Sequence, residues 1–400
     1  MSRELIQAIH DTPGLWVVAA TGGGSGALSG LLEVSGASRT LVEATIPYAP
    51  PALASYLGHV PTQAAGPATA RAMAMAAFQR CRVLQGHLPT PLFGLGCCAA
   101  LTTDRTRRGT DRCFVAVQSL TTTFEVSLTL TPNQRDRPAQ EALCAELIWR
   151  IMYQTQLAIG PDARTEVHSS ETNSSETHNS GTNSISINSS EIKSLNDDDL
   201  LSQRQAWAPV TWQALFHGAP ASTWPSAAAP QALFPGSFNP LHDGHKQMAA
   251  IAAEHLGVPV VLEVSAFNVD KPPLDYLDLQ QRQAGTQGLS MIFTNAPTFV
   301  QKSDLFPGVT FVVGSDTIER IADPKYYDNQ IDQRDVALAL LSARGHKFLV
   351  FGRIDGQHFV GLQDLDLPKT LRELCTAIPE SQFRIDLASR DLRQAPTQNE

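Results

Sequence analysis

The sequence has no surplus of positive charge: 30 Lys and Arg residues stand against 39 Asp and Glu, a formal net charge of −9. This balance argues against nucleic acid as the main partner. The sequence also lacks an apolar run of membrane-spanning length, and its start, MSRELIQAIHDTPG, is too polar for a signal peptide. We therefore expect a cytoplasmic protein that binds neither membranes nor nucleic acid.

Cysteine is scarce and shows no paired spacing. The six cysteines are Cys81, Cys97, Cys98, Cys113, Cys144 and Cys375. The adjacent pair Cys97 and Cys98 is neither a zinc-binding nor a redox CxxC motif. We expect free thiols in a reducing cytosol and no metal site built from protein ligands.

The composition changes sharply after about residue 163, where EVHSSETNSSETHNSGTNSISINSSEIKS contains almost no apolar residues. Such a segment buries too little surface to offset its ordering entropy, so we expect disorder over roughly 164–200. Two Pro-containing stretches follow and indicate a partly ordered connector. The predicted domains are 1–160 and 231–400, with linker and connector over 161–230.

Strand-like and helix-like patterns alternate in both domains, so the fold class is α/β with two α/β domains. In the second domain we predict strands at 232–234, 258–266, 298–301, 309–314, 346–353 and 383–387, and helices at 245–255, 278–290, after 316 and at 367–378. This succession predicts a parallel, doubly wound sheet.

The stretch GSFNPLHDGH, from Gly236 to His245, stands between an apolar run and an amphipathic helix-like segment. A junction of strand and helix offers unpaired backbone N–H groups and the positive end of a helix dipole, and both favour phosphate. Gly236 permits close approach of a ligand to the backbone. His242 and His245 can both donate to phosphate oxygens from the first helical turn. The stretch therefore predicts a phosphate site.

This junction resembles the HxGH signature of the nucleotidyltransferase superfamily, which includes cytidylyltransferases and adenylyltransferases and has a Rossmann-like doubly wound sheet. The resemblance covers residues 231–400. It also places Arg282 on the helix after the second strand. The catalytic residues that it implies are His242, His245, Lys271 and Arg393, and the nucleotide-binding residues are Gly236, Ser237, Phe238, Gly314, Asp316, Arg353 and Ser389.

Two later segments carry further parts of the resemblance. FVVGSDTIERI matches a G-x-D segment in which Gly314 and Asp316 would face the ribose of the nucleotide. LASRDLR matches a C-terminal signature in which Ser389 and Arg393 would hold the β- and γ-phosphates. Arg390 stands there where Thr is usual.

The resemblance implies attack of an acceptor phosphate on the α-phosphorus of a nucleoside triphosphate, with Mg²⁺ and release of pyrophosphate. The segment GSFNP resembles adenylyltransferases that act on nicotinamide or nicotinate mononucleotide, so ATP is the expected donor. Two alternatives stay open: a cytidylyl- or adenylyltransferase for another phosphorylated acceptor, and a nucleotide-binding sensor or scaffold without turnover.

Residues 1–155 resemble the C-terminal domain of CinA, the nicotinamide-nucleotide amidase family, through TGG after a strand and several later segments. The position of that family's nucleophilic serine is Ala19 in this sequence, and that of its lysine is Leu53. The resemblance therefore implies a fold without amidase activity. Thr21 and the glycines after it could still bind a nucleotide at a helix start, and self-association through this domain is also left open.

Overall fold

The computed structural model describes residues 2–86, 89–104, 109–159, 184–192, 194–226, 228–267, 272–355 and 358–384. The chain divides into two compact units. The first is Met1–Pro209 with Asp270–Leu277, and the second is Val210–Val269 with Asp278–Glu400. Among the described residues, no helix has the length and apolar character needed to cross a membrane.

The first unit is a mixed sheet with helices. Its helices are α1 (Ser2–Asp11), α2 (Gly26–Glu33), α3 (Pro50–Leu57), α4 (Pro67–Gln85) and α5 (Arg137–Ile159). Its strands are β1 (Leu15–Thr21), β2 (Leu41–Thr45), β3 (Leu92–Ala100), β4 (Arg112–Gln118), β5 (Thr122–Thr129) and β6 (Leu200–Trp207). The sheet order is β2-β1-β3-β4-β5-β6. Strands β2, β1 and β3 are parallel, and the remaining pairs are antiparallel.

Strand β6 corrects the boundary expected from composition, because it lies in the segment that we assigned to linker and connector. It pairs antiparallel with β5 from Leu200 to Trp207. Just before it, Ile185, Ile187 and Ile192 are at most 3% exposed and join the core of the first unit. A few isoleucines thus anchor a polar segment that average composition marks as linker. Residues 160–183 lie outside the described residues.

The second unit contains a six-stranded sheet. Its helices are α6 (Val210–Ala214), α7 (Asp243–Leu256), α8 (Tyr276–Ala284), α9 (Phe299–Leu305), α10 (Ser315–Ala322), α11 (Ile331–Ala343) and α12 (Lys369–Leu374). Its strands are β7 (Ala232–Pro235), β8 (Val260–Ser265), β9 (Met291–Thr294), β10 (Thr310–Gly314), β11 (Lys347–Phe351), β12 (Arg353–Asp355), β13 (His358–Val360) and β14 (Cys375–Ile378). The first two residues of α8 fall within the segment counted with the first unit.

All strand pairs of this second sheet are parallel, and the order is β14-β11-β10-β7-β8-β9. Numbered along the chain within this sheet, the order is 6-5-4-1-2-3, which is the doubly wound arrangement. Strands β10 and β11 read as continuous apolar runs because both faces of such a sheet are covered by helices. The predicted Rossmann-like fold of the second domain is confirmed.

Four predicted elements differ from the structure. The helix expected over 278–290 is α8, which ends at Ala284. Residues 298–301, expected as a strand, lie at the start of α9, and the strand at this place in the sheet is the earlier β9. The helix expected over 367–378 ends at Leu374 and gives way to β14. The strand expected over 383–387 is absent at the described residues Phe383 and Arg384, and the remainder of that prediction lies outside them.

Candidate functional site

The stretch that carries the histidines begins at the carboxyl end of β7, in the middle of the second sheet. Consecutive strands run to one side from β7 through β8 to β9, whereas β10 lies on the other side. Strand β7 pairs with β8 through Pro235, but its pairing with β10 stops at Leu233. The two strands thus part toward their carboxyl ends. A doubly wound sheet binds its ligands in the crevice at this kind of reversal.

The loop after β7 is held in an unusual backbone conformation. The N–H of Gly236 donates to the carbonyl of Glu263 (2.9 Å). A Cβ at Gly236 would lie 2.6 Å from the ring of Phe238, so a larger residue there would force this ring to move. Phe238 has a φ of 40°, a left-handed value that costs an ordinary residue about 1–2 kcal/mol. Burial of its ring, which is 2% exposed, offsets this cost.

His242 and His245 bracket the start of α7. His242 is the N-cap residue, and its backbone N–H donates to Nδ1 of His245 (3.4 Å). The two imidazole rings stack with centroids 3.7 Å apart. Phe238 packs its ring against His245 at 5.0 Å, nearly perpendicular. Because Nδ1 of His245 accepts a hydrogen bond, the proton of the neutral ring lies on Nε2, which is then a donor.

Both histidines are neutral near pH 7. Burial lowers the pKa of His242 below its ordinary value. Burial, together with the charge of His242, lowers the pKa of His245 to about 4. A neutral imidazole can donate one hydrogen bond without carrying a permanent charge into the site. The pair is therefore suited to stabilise negative charge that develops on a bound group.

Two buried polar atoms near these strand ends have no hydrogen-bond partner among the described residues: Nδ1 of His242 and Oγ of Ser315. His242 follows β7, and Ser315 is the first residue of α10, directly after β10. Unpaired buried polar atoms are costly, so they indicate places where a ligand or water completes the hydrogen bonding. The sequence analysis did not select Ser315, although this residue stands between Gly314 and Asp316 in the G-x-D segment.

The other residues predicted to bind the nucleotide at this edge differ in their placement and exposure. Gly314 is the N-cap of α10, and Oδ1 of Asp316 lies 2.8 Å from the place of a Cβ at Gly314, so glycine lets this carboxylate fold back. Arg353 follows β11, the neighbour of β10, and its side chain is exposed. Ser237 is exposed as well, in the loop after β7. None of these placements identifies a ligand by itself.

Arg282, on α8, is hydrogen-bonded to the loop that follows β7. Its Nε donates to the carbonyl of Ser237 (3.0 Å), and its Nη1 donates to the carbonyl of Asp278 (2.9 Å). The residue is only 8% exposed. These contacts assign Arg282 to the support of the histidine loop.

Lys271, Ser389 and Arg393 lie outside the described residues. Within the described ranges, no three His, Cys, Asp or Glu side chains are grouped so that they could share a metal ion.

In the first unit, the positions that correspond to the amidase serine and lysine lie in one apolar cluster. Ala19 is fully buried and Leu53 is 2% exposed, and both pack with Met73, Cys98 and Phe114. Burial raises the pKa of the Cys98 thiol to about 12, so it is not a thiolate at neutral pH. This cluster provides no activated nucleophile.

The glycine-rich turn of the first unit is occupied by a carboxylate of the chain itself. Glu141, on α5, accepts hydrogen bonds from the N–H groups of Gly24 (2.9 Å) and Gly26 (3.0 Å) and from the hydroxyl of Ser25 (2.9 Å). Burial alone would raise the pKa of Glu141, but these hydrogen bonds lower it below its ordinary value. Glu141 thus occupies two N–H groups of this turn, and nucleotide binding through Thr21 and the glycines after it stays a prediction.

One family model and several solved structures match parts of this chain. Residues 233–380 match the model of the Cytidylyltransferase-like family. Solved structures that resemble the chain include the competence/damage inducible protein CihA from Agrobacterium tumefaciens, at 17% identity over 30% of this chain and 73% of that one, with a TM-score of 0.24. A CinA superfamily protein from Escherichia coli matches at 16% identity over 39% of this chain and 90% of that one, with a TM-score of 0.28. A search of curated proteins finds no match.

The family match begins within β7 and ends just after β14, so it spans the whole parallel sheet and the histidine stretch. Residues 233–380 are a cytidylyltransferase-like domain.

Proposed function

We propose that the chain is a nucleotidyltransferase that moves the adenylyl group of ATP to the phosphate of nicotinamide or nicotinate mononucleotide. The observation that carries the proposal is the neutral His242–His245 pair at the start of α7, in the crevice of a doubly wound sheet. The match of residues 233–380 supports the nucleotidyltransferase class. The choice of ATP and of a pyridine mononucleotide rests on the resemblance of Gly236–Pro240 and of the segment LASRDLR.

In this reaction an oxygen of the acceptor phosphate attacks the α-phosphorus of ATP. The bond from that phosphorus to the oxygen that bridges to the β-phosphate breaks, and pyrophosphate leaves with the electron pair. The attacking phosphate is already ionised, so no side chain has to remove a proton. Catalysis then consists of positioning and of stabilising charge.

The histidines would act on the α-phosphate. Nε2–H of His245 donates to a non-bridging oxygen as its charge grows, and Nδ1 of His242, unpartnered among the described residues, gains a partner in the bound complex. Such donors are most effective when they are held in place before the reaction. The two imidazole rings are held in place by stacking on each other and by packing of His245 against Phe238.

The remaining predicted residues take part as follows. Gly314 and Asp316 would face the ribose, with Ser315 adding its hydroxyl. Lys271 and Arg353 would supply positive charge. Ser389 and Arg393 would hold the leaving pyrophosphate, and an arginine can grip it with two hydrogen bonds. Mg²⁺ would be held largely by the triphosphate rather than by protein side chains.

The first unit has no amidase activity in this proposal. Ala19 and Leu53 leave its former catalytic positions apolar, and Glu141 fills its glycine-rich turn.

Release of pyrophosphate by the purified chain tests the proposal. ATP and CTP are each combined, with Mg²⁺, with nicotinamide mononucleotide, nicotinate mononucleotide, phosphopantetheine or glycerol phosphate. Release with ATP and a pyridine mononucleotide is the expected result. Release with another pair alone would refute the assigned substrates but keep the reaction class. ATP binding without release from any pair would favour a sensor or scaffold.

A further inference from the structure

The histidine loop, residues 236–241, leaves the second sheet where β7 has a strand neighbour on one side only. The pairing of β7 with β10 stops at Leu233, whereas its pairing with β8 continues to Pro235, which lies opposite Glu263. One residue further on, the N–H of Gly236 donates to the carbonyl of Glu263 (2.9 Å). Among the strands that the structure describes, β8 alone therefore holds the backbone at the start of the loop, and it does so at Glu263.

The side chain of Glu263 is fully buried and joins β8 to β9 and α9. Its Oε1 accepts hydrogen bonds from the hydroxyl of Thr294, the last residue of β9, and from Nζ of Lys302 on α9 (2.8 Å). Lys302 is 4% exposed, and its Nζ also donates to the carbonyl of Ala296 (2.6 Å). This ion pair thus ties the carboxyl ends of β8 and β9 to the helix that follows them.

Stability alone does not account for this ion pair. A buried ion pair gains little net free energy over apolar side chains of similar volume, because both ions lose their hydration. The pair also leaves Oε2 of Glu263 buried without a hydrogen-bond partner among the described residues, and such an atom carries an unfavourable desolvation cost. What the network supplies is one well-defined place for Glu263, since directional hydrogen bonds hold both its carboxylate and its carbonyl.

The place of Glu263 determines the place of the histidine loop through a short series of contacts. Its carboxylate and its carbonyl belong to one residue, so displacement of the side chain shifts the acceptor of the Gly236 N–H. Gly236 lies directly against the ring of Phe238, since a Cβ at Gly236 would be 2.6 Å from that ring. The ring of Phe238 packs in turn against His245 at 5.0 Å. The series from Lys302 to His245 lies entirely within the second unit.

We propose that Lys302 and Glu263 are positioning residues for nucleotidyl transfer. They act without touching the nucleotide: the ion pair holds the carbonyl that anchors Gly236, and this anchor sets the place of Phe238 and of the His245 ring. The proposal rests on the proposed function for its kinetic consequence. Its structural part, a loop anchored by the ion pair, is independent of the substrate.

The test removes both charges together in the full chain. The double variant Glu263→Gln, Lys302→Met nearly keeps the side-chain volumes and leaves no ion uncompensated, so we expect it to fold with nearly wild-type stability. Its kcat for pyrophosphate release from ATP and nicotinamide mononucleotide should fall about 10-fold to 100-fold, because a small displacement of an aligned group is costly. Its KM should change by less than about threefold, because neither residue binds the substrate.

The double variant Glu373→Gln, Lys369→Met is the matched control. It removes an ion pair of the same composition from the same unit, but one whose side chains are 64% and 90% exposed. Its kcat should stay within about twofold of the wild-type value, since exposed ion pairs contribute little.

Amide hydrogen exchange, followed by NMR, supplies a readout that needs no activity. We expect exchange at Gly236 to accelerate by at least about threefold in the variant at Glu263 and Lys302, while exchange in β10 and β11 stays unchanged. Equal acceleration in all three places would show a general loss of stability and would overturn the proposal. Unchanged exchange at Gly236, or faster exchange with wild-type kcat, would overturn it as well.

A second variant covers the case in which the double variant does not fold. Thr294→Val removes a single hydrogen bond to Glu263 and keeps the ion pair, so it should change the same two readouts in the same direction but less. A wild-type chain without transferase activity would refute the proposed function, and exchange at Gly236 would still decide whether the ion pair anchors the loop.

Discussion

At the scale of the residue, the site depends on the protonation of two histidines. Nδ1 of His245 accepts from the N–H of His242, so a proton on Nδ1 would break this contact and add a charge beside the second ring. Burial lowers the pKa of both rings and so favours the neutral form that this contact requires. Sequence spacing predicted the pair and its helix start, but it could not predict the stacking, which depends on the conformation of residues 236–241.

The pKa of His245 predicts how stability depends on pH. Its folded-state pKa of about 4 lies below the ordinary value of 6.5, so between these values the unfolded chain binds a proton that the folded chain does not. The contribution of His245 to stability is therefore complete above about pH 6.5 and is lost as the pH falls toward 4. The free energy of unfolding, measured by urea titration across this range, should fall less steeply in His245→Gln.

His255→Gln is the control, because His255 is exposed in the last turn of the same helix. This variant should keep the wild-type pH slope. An NMR titration of His245 with a midpoint near its ordinary value would contradict the account.

At the scale of the element, apolar runs, turns and capping residues predicted those helices and strands whose ends depend on local sequence. The apolar run, the turn and the glycine after the helix predicted β7 and α7, and α7 indeed ends at Leu256, with Gly257 as its C-cap at a φ of 67°. The prediction of a strand over 298–301 was wrong; it relied on Phe299 and Val300, which are residue types that favour strands. Thr298 and Gln301 instead form a capping box that starts α9. Strand β6 was missed because an exposed edge strand lacks a clear apolar alternation.

A buried ion pair between two elements of the second unit was beyond sequence reasoning. Lys302 on α9 donates to Oε1 of Glu263 on β8 (2.8 Å), and both side chains are at most 5% exposed. Lys302→Met should destabilise the chain by about 3–5 kcal/mol, because it leaves the Glu263 carboxylate buried without its cation. Urea unfolding measures the change.

Lys369→Met is the matched control, since Lys369 is 90% exposed and pairs with Glu373 at 3.8 Å. Its cost should stay below about 1 kcal/mol. The account would be contradicted if the two variants lost the same free energy of unfolding.

At the scale of the whole molecule, the chain joins a cytidylyltransferase-like domain to a unit in which Glu141 accepts hydrogen bonds from the glycine-rich turn and in which Ala19 and Leu53 lie in an apolar cluster. Ala19 and Leu53 led, through the CinA resemblance, to the expectation that this unit lacks amidase activity, which stays a prediction. They could not predict Glu141, because this carboxylate lies more than 100 residues from the turn that it occupies.

The full chain should therefore release no ammonia from nicotinamide mononucleotide above the protein-free rate, because no activated nucleophile lies in the apolar cluster. An enzyme-coupled ammonia assay measures this. Ammonia release that disappeared in Ser25→Ala or Ser29→Ala would contradict the prediction and identify a different nucleophile.

The central claim is that His245 stabilises charge on the α-phosphate during adenylyl transfer. The most direct test is single-turnover formation of the dinucleotide from ATP and nicotinamide mononucleotide, compared among wild type, His245→Ala and the control His255→Ala. We predict a loss of about 100-fold to 1,000-fold in His245→Ala, as for removal of one preorganised donor, with ATP still bound by calorimetry, and less than about twofold in His255→Ala. A His245→Ala chain that formed product at the wild-type rate would contradict the account.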